Sequence, residues 1–194
     1  MGWRTMGNAG YPAGLDSNPA VSPRIQRWDH IGIAVRSIEA AVPLFRDVFG
    51  GQFVLGGDDS PLEIRTAMFK LPDTVKVELM EPLNEQSYLN RFIDKHGEGF
   101  HHVTIFVDDV EATIADLEAT GYEVVDTDLS EPHWRETYVR PRSGHGCLFQ
   151  IVDSELEWLE PHPHCTVEDV IAGKWRWWRS QIWHIDQLPD GYAE

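Results

Sequence analysis

Two stretches of this 194-residue chain match each other at a fixed spacing, and that repeat restricts the fold more than any other feature. DHIGIAVRSIEAAV from Asp29 pairs with HHVTIFVDDVEATI from His101, which sets His30 opposite His102 at an offset of 102−30=72. The same offset carries Glu78 of VELM onto Gln150 of FQIV, since 150−78=72. A repeat of this length implies two copies of one supersecondary unit sharing a core, related here by a pseudo-twofold axis.

Hydrophobic periodicity predicts the order strand, helix, three strands within each copy. In the first, Trp28 to Val35 reads as a strand, Ser37 caps a helix from Ile38 to about Phe49, and Gly50-Gly51 ends it. Strands follow near Gln52 to Leu55, Ile64 to Phe69 and Val75 to Met80. Pro43 lies inside the helix and predicts a bend, because proline lacks the N–H that a helix interior uses. In the second copy His101 to Val107 is a strand, Asp109 caps a helix bearing Val110, Ile114 and Leu117 on one face, and Gly121 ends it. Strands near Tyr122 to Val125, Thr137 to Val139 and Cys147 to Val152 complete the unit.

The expected class is therefore α+β: two tandem βαβββ modules, about 27–84 and 99–154, forming a curved mixed sheet around a central cavity within a domain spanning 27–154. A linker helix at about 86–96 joins them, with Leu89, Phe92 and Ile93 at helical spacing. Two irregular extensions flank the domain: an arm over 1–26, rich in Gly, Pro, Asn and Ser and read as partly disordered, and a Trp-rich segment over 155–194. Within the latter, Thr166 starts a capped segment, and Trp175, Trp178 and Ile182 could form one helical stripe.

Charge narrows the partners. With 16 Lys+Arg against 32 Asp+Glu the formal charge is −16, which repels phosphate backbones and anionic membranes, so neither is an expected partner. No run approaches the roughly 20 apolar residues that span a bilayer. Two cysteines, Cys147 and Cys165, make no disulfide framework, and Cys147 in its apolar run reads as a buried thiol. A reducing cytoplasm is the expected compartment.

Strand alternation places the chemistry. Ile31, Ile33 and Val35 share one face of their strand, which leaves His30 among Gly32 and Ala34 on the other; His102 stands likewise with Thr104 and Phe106. In the closing strands Glu78 opposes Val77 and Leu79, and Gln150 opposes Phe149 and Ile151. Four polar side chains thus converge on one axis. A carboxylate there is costly without a positive partner, and neutral imidazoles supply none, so one divalent ion of Zn, Mn, Fe, Co or Ni is the expected cofactor. A lone strand histidine is ordinarily a hydrogen-bonded core residue; two at matched positions with matched partners argue for ligands.

DHIGIAV, VELMEPL, GEGFHHVTIFVDDVEA and RPRSGHGCLFQIVD resemble, in order, the motifs of the vicinal-oxygen-chelate superfamily, most closely its methylmalonyl-CoA epimerase branch, with glyoxalase I more distant. The resemblance covers about Trp28 to Asp153. It implies a metal-dependent isomerase or lyase that polarises the carbonyl of a small carbonyl compound or acyl thioester and stabilises an enolate. Carried over residue by residue, it implies His30, Glu78, His102 and Gln150 as ligands, with Glu78 and Gln150 as the catalytic pair. The chain departs from the epimerase pattern in having Gln150 where that branch has Glu. The branch's second carboxylate falls nearest Thr66, while Glu63 is out of register.

The resemblance also implies substrate contacts from Arg140 and Arg142, which flank Pro141, and His145 in the next turn is a further candidate. His101 faces away from His102 along the strand and reads as an outer contact. The tryptophans past residue 154 read as a cap on the core or a homodimer face; the rival reading is an aromatic cavity wall assisted by Lys174, Arg176 and Arg179. His162, His164 and Cys165 lack a paired motif for a second metal site. Two other functions fit the pattern: a non-haem Fe(II) dioxygenase, and a non-catalytic small-molecule binder.

Overall fold

A computed structural model describes residues 24–72 and 75–192. Most of the expected N-terminal arm therefore lies outside the described residues, and from Ile25 the chain is already in β1 (Ile25–Ala34). The first module continues with α1 (Ile38–Val42), a π-helical stretch (Pro43–Val48), β2 (Gln52–Asp59), β3 (Ile64–Lys70) and β4 (Lys76–Pro82). After α2 (Tyr88–His96) the second module repeats the order: β5 (Gly99–Val107), α3 (Val110–Ala119), β6 (Val124–Glu131), β7 (Trp134–Val139) and β8 (Leu148–Asp153). A short helix α4 (Val167–Ile171) and two strands, β9 (Trp175–Trp178) and β10 (Gln181–His184), follow. Among the described residues no helix is long and apolar enough to cross a membrane.

Both module helices start where polar side chains satisfy free N–H groups. Ser37 accepts from the Ala40 N–H at 3.2 Å, and Asp109 accepts from the Ala112 N–H at 2.9 Å. The disruption expected at Pro43 takes the form of a wider winding: the Phe49 N–H reaches the Leu44 carbonyl at 3.0 Å, five residues back. A proline cannot donate to the ladder and crowds the carbonyl four residues before it, so the following bonds slip by one.

The ten strands form one sheet in the order β10-β9-β2-β3-β4-β1-β5-β8-β7-β6. Its centre carries the duplication in hydrogen-bond register. In the parallel pair β1/β4, Gly32 lies opposite Glu78; in β5/β8, Thr104 lies opposite Gln150, and both positions advance by 72, since 104−32=72 and 150−78=72. Antiparallel β1 and β5 join the halves with His30 opposite Thr104 and Gly32 opposite His102, as a twofold axis between them requires. One face of the sheet carries the two module helices, while α2 packs through Leu89 and Ile93 on Ala34, Ile64 and Met80 at the edge of the other. Ile38, Val42 and Phe45 pack on Phe69, Val77 and Leu79, with Ile31 and Ile33 against them, and Val110 packs on Ile105 and Ile151 with Ile114 and Leu117. The other face is the concave one.

The C-terminal extension corrects the helical expectation. Trp175 and Trp178 lie in β9 and Ile182 in β10, paired as an antiparallel hairpin that lengthens the sheet beside β2. The extension is thus more regular than its composition suggested. The two turn residues, Arg179 and Ser180, both have positive φ, 48° and 58°, the requirement of the tight turn that matches strand twist. Asp58 of β2 anchors the hairpin, accepting from Arg176 at 2.9 Å and from Arg65 at 2.6 and 3.1 Å. Both cysteines are free; Cys165 is buried and Cys147, expected inside, is only half-buried. Burial pushes the Cys165 thiol up to about 12, so it is unreactive as a nucleophile.

Candidate metal centre and cavity

Three of the four expected ligands meet at the bottom of the concavity. One donor atom each from His30, Glu78 and His102 lies within 4.8 Å of the others. The Glu78 Oε2 stands 3.9 Å from the His30 Nε2 and 3.7 Å from the His102 Nε2. The imidazoles face each other edge-on with centroids 5.5 Å apart. Room for the second ring comes from Gly32, because a Cβ there would stand 2.2 Å from the His102 Cε1.

The outer contacts orient these donors. His30 Nδ1 lies 2.8 Å from Asp29 Oδ2, a pairing that fixes the ring and turns Nε2 toward the cavity. Asp29 is itself buried and also holds Arg27 at 2.8 Å and the buried Lys76 Nζ at 2.9 Å. Burial alone would raise Asp29, but His30, Lys76 and Arg27 outweigh it and hold the carboxyl far below the usual range. His102 Nδ1 lies 3.1 Å from His101 Nδ1, so His101 makes the expected outer contact, but it lines the cavity beside His102 and does not face away from it. The decisive atom is the His102 Nε2, buried and, among the described residues, without a hydrogen-bond partner. A buried nitrogen in that state costs about 1–3 kcal/mol unless something binds it. Burial, with the like charges of Asp59 and Glu136 added, also raises the Glu78 carboxyl against the opposing pull of His30 and Lys76. A cation among these three donors relieves both penalties, so the residues fit a divalent ion.

Gln150, the fourth expected ligand, is placed differently. Its Oε1 accepts from the Thr104 hydroxyl at 2.6 Å, and that hydroxyl lies 2.9 Å from His30 Nε2. Its amide nitrogen donates to Glu136 at 2.7 Å and lies 3.1 Å from the Tyr138 hydroxyl. Glu136 is the site residue that sequence reasoning missed. It also accepts from Trp134 Nε1 at 2.8 Å and from the Tyr138 hydroxyl at 3.0 Å. The signal is present: Trp134, Glu136 and Tyr138 alternate along β7 and line the cavity, but the strand begins three residues before the Thr137 start that periodicity predicts.

Above the donors is a cavity of about 440 Å³, within the range of small-molecule sites. Trp158, Trp177, Trp178 and Arg179 of the extension line it, so these residues form the aromatic wall of the rival reading. Trp134 stacks on Trp158 at 4.8 Å, and Trp177 Nε1 donates to Thr66 at 2.8 Å. Lys174 and Arg176 are instead paired with Asp169 and Asp58. Arg140, Arg142 and His145 are exposed and do not line the cavity, and Arg142 is held by Glu123. Within this turn Gly144 is confined, since a Cβ there would stand 2.4 Å from the Cys147 carbonyl oxygen and 3.0 Å from the Phe149 ring.

The conserved-domain model of the "Glyoxalase/Bleomycin resistance protein/Dioxygenase superfamily" matches residues 29–138. This chain belongs to that superfamily. An ethylmalonyl-CoA/methylmalonyl-CoA epimerase of Cereibacter sphaeroides is 30% identical over 133 residues, 66% of this chain and 97% of the relative. Among solved structures of the superfamily, the Mycobacterium tuberculosis methylmalonyl-CoA epimerase superposes with a TM-score of 0.61 at 27% identity, covering 68% of this chain and 90% of the other. A Streptomyces coelicolor methylmalonyl-CoA epimerase in complex with 2-nitronate-propionyl-CoA gives 0.60 at 32% identity, covering 68% and 99%. The superfamily match ends at residue 138, before the extension that walls the cavity begins.

The buried histidines give the metal-free protein an acid-sensitive stability. Desolvation pushes His101 down from 6.5 to about 4. Between those values the unfolded chain takes up a proton that the folded chain refuses, so stability falls as pH drops from about 6.5 to about 4, by on the order of 3 kcal/mol. Glu78 works in the opposite sense, and Asp29 acts below this window, since its contribution is lost only as pH falls under its ordinary 3.8. Urea melts of the His101→Gln variant against the parent isolate the histidine: the variant's slope should be flatter over this interval. Parallel slopes would remove His101 as the cause.

Proposed function

We propose that the protein is a metal-dependent isomerase or lyase that withdraws a carbon-bound proton next to a carbonyl group, on a small carbonyl compound or acyl thioester. The observation that carries this reading is the partnerless His102 Nε2 facing Glu78 and His30 Nε2 at the floor of the cavity. A divalent ion held there would polarise a carbonyl oxygen and offset the negative charge that develops when the proton leaves. His30, His102 and Glu78 would hold it. Gln150 is the fourth donor in this reading: a carbonyl oxygen has two lone pairs, and Thr104 uses one.

The remaining work falls to the chain's own carboxylates. Gln150 cannot take a proton at useful pH, but its amide group holds Glu136 through a 2.7 Å bond. We assign Glu136 as the proton acceptor, because it faces the cavity from the second module while Glu78 faces it from the first. Two carboxylates on opposite arms of a curved sheet suit removal of a proton from one face of a carbon and its return to the other. The epimerase relatives support an isomerase of this type. The two free thiols agree with a reducing cytoplasm.

Incubating metal-loaded protein with 2-oxo compounds and acyl thioesters in deuterated water tests the reading. Metal-dependent deuterium incorporation is expected, falling by about 10²–10⁴ in Glu136→Gln, the usual share of a general base. A panel without any exchange would overturn it. Two imidazoles with one carboxylate also match the donor set of non-haem Fe(II) oxygenases. Stoichiometric iron with catechol-dependent oxygen uptake would favour that second reading.

A further inference from the structure

We propose that the cavity selects a small organic cation, an ammonium-bearing carbonyl compound, over an anionic substrate such as a coenzyme A thioester. The inference rests on the proposed carbonyl-polarising site and names the substrate class that site takes.

Among the described lining residues, Asp59, Glu78, Asp128, Glu131 and Glu136 supply five carboxylates, and Arg179 is the one Lys or Arg side chain. A divalent ion at the floor does not reverse this balance, since −5+1+2=−2. An anion entering the cavity meets repulsion on two sides of the sheet, from β2 and β4 on one arm and β6 and β7 on the other. The whole chain, at −16, adds a field of the same sign that concentrates cations at the mouth.

The aromatic wall is the independent observation. Trp134 and Trp158 stack at 4.8 Å with planes 23° apart, and Trp177 closes on Trp158 at 5.3 Å. Trp ring faces attract ammonium groups, most strongly where water is excluded, and all three rings line the cavity. The wall already holds one cation in this way: the Arg179 guanidinium carbon lies 4.7 Å above the Trp178 ring. His102 lines the same cavity, and its partnerless Nε2 would help hold the ion that polarises a carbonyl oxygen. A ligand with an oxygen at one end and a quaternary nitrogen at the other satisfies both. Much of this wall comes from residues past 154, beyond the stretch shared with the superfamily.

The test uses full-length zinc-loaded protein and three aryl methyl ketones that differ only in a para substituent: trimethylammonium, methyl or carboxylate. Tryptophan quenching gives each Kd at low and high salt, with acetyl-CoA as a fourth probe. The cation should bind at least 10-fold tighter than the carboxylate at low salt. The gap should narrow with added salt and in the Asp128→Asn/Glu131→Gln double variant. A carboxylate or thioester that matches or beats the cation, or failure of all four probes to bind, overturns the proposal. Because binding is read without turnover, the charge order with no deuterium exchange would sink the proposed reaction and leave the ligand class standing. Exchange with a reversed order would do the opposite.

Discussion

Replacing His102 with alanine should abolish saturable metal binding, lowering affinity by more than about 100-fold, beyond the 10–100-fold that losing an outer contact costs. His30→Ala should do the same, since each imidazole supplies one of three converging donors. The effect on stability separates this from general damage. In metal-free protein the His102→Ala change deletes a buried nitrogen that has no partner, so the usual cost of truncation is partly offset. Parent protein at a free metal concentration 1,000 times Kd gains about 4 kcal/mol from the ion, and the variant gains nothing. Melting curves with and without zinc, read beside elemental analysis after dialysis, should therefore show the metal-induced rise in Tm in the parent alone. A variant that still carries one tightly held ion per chain would remove His102 from the site.

The candidate donors were legible because duplication doubles the evidence. One histidine in a strand says little, but His30 and His102 share an offset with Glu78 and Gln150, and the ladder places Gly32 opposite Glu78 and Thr104 opposite Gln150 in the same register. Periodicity also located the helices, whose Ser37 and Asp109 caps act through local bonds. Strand ends were not legible. Asp59 and Glu131 end β2 and β6 and Asp128 lies inside β6, where acidic residues of low strand preference continue the ladder because the neighbouring strands supply partners. The short reading of β7 hid Glu136 for the same reason. The terminal hairpin was hidden by its turn, since Arg179 and Ser180 adopt a conformation that Asn-Gly or Asp-Gly would have announced. Arg140 and Arg142, taken from a motif likeness, and His145, taken from the turn beside them, have side chains that face solvent outside the cavity lining.

Gly32→Ala should cost the metal site nearly as much as losing a ligand, although Gly32 has no side chain to offer. Its position opposite His102 across the β1/β5 ladder puts an added methyl 2.2 Å from Cε1 and 2.3 Å from Nδ1 of the ring. Neither contact is tolerable, so the ring must turn. The ring already touches His101 on one side and faces the His30 ring at 5.5 Å, so turning takes Nε2 off the axis it shares with Glu78. Zinc affinity should fall at least about 10- to 100-fold, and stability by about 1–3 kcal/mol, the usual cost of overpacking. A double-mutant cycle assigns the cause: in the His102→Ala background the methyl has space, so Gly32→Ala should there cost little, leaving a coupling of about 1 kcal/mol or more. If the single variant binds zinc like the parent, or the two substitutions prove additive in stability, then the absence of a side chain at residue 32 is not what seats the second imidazole.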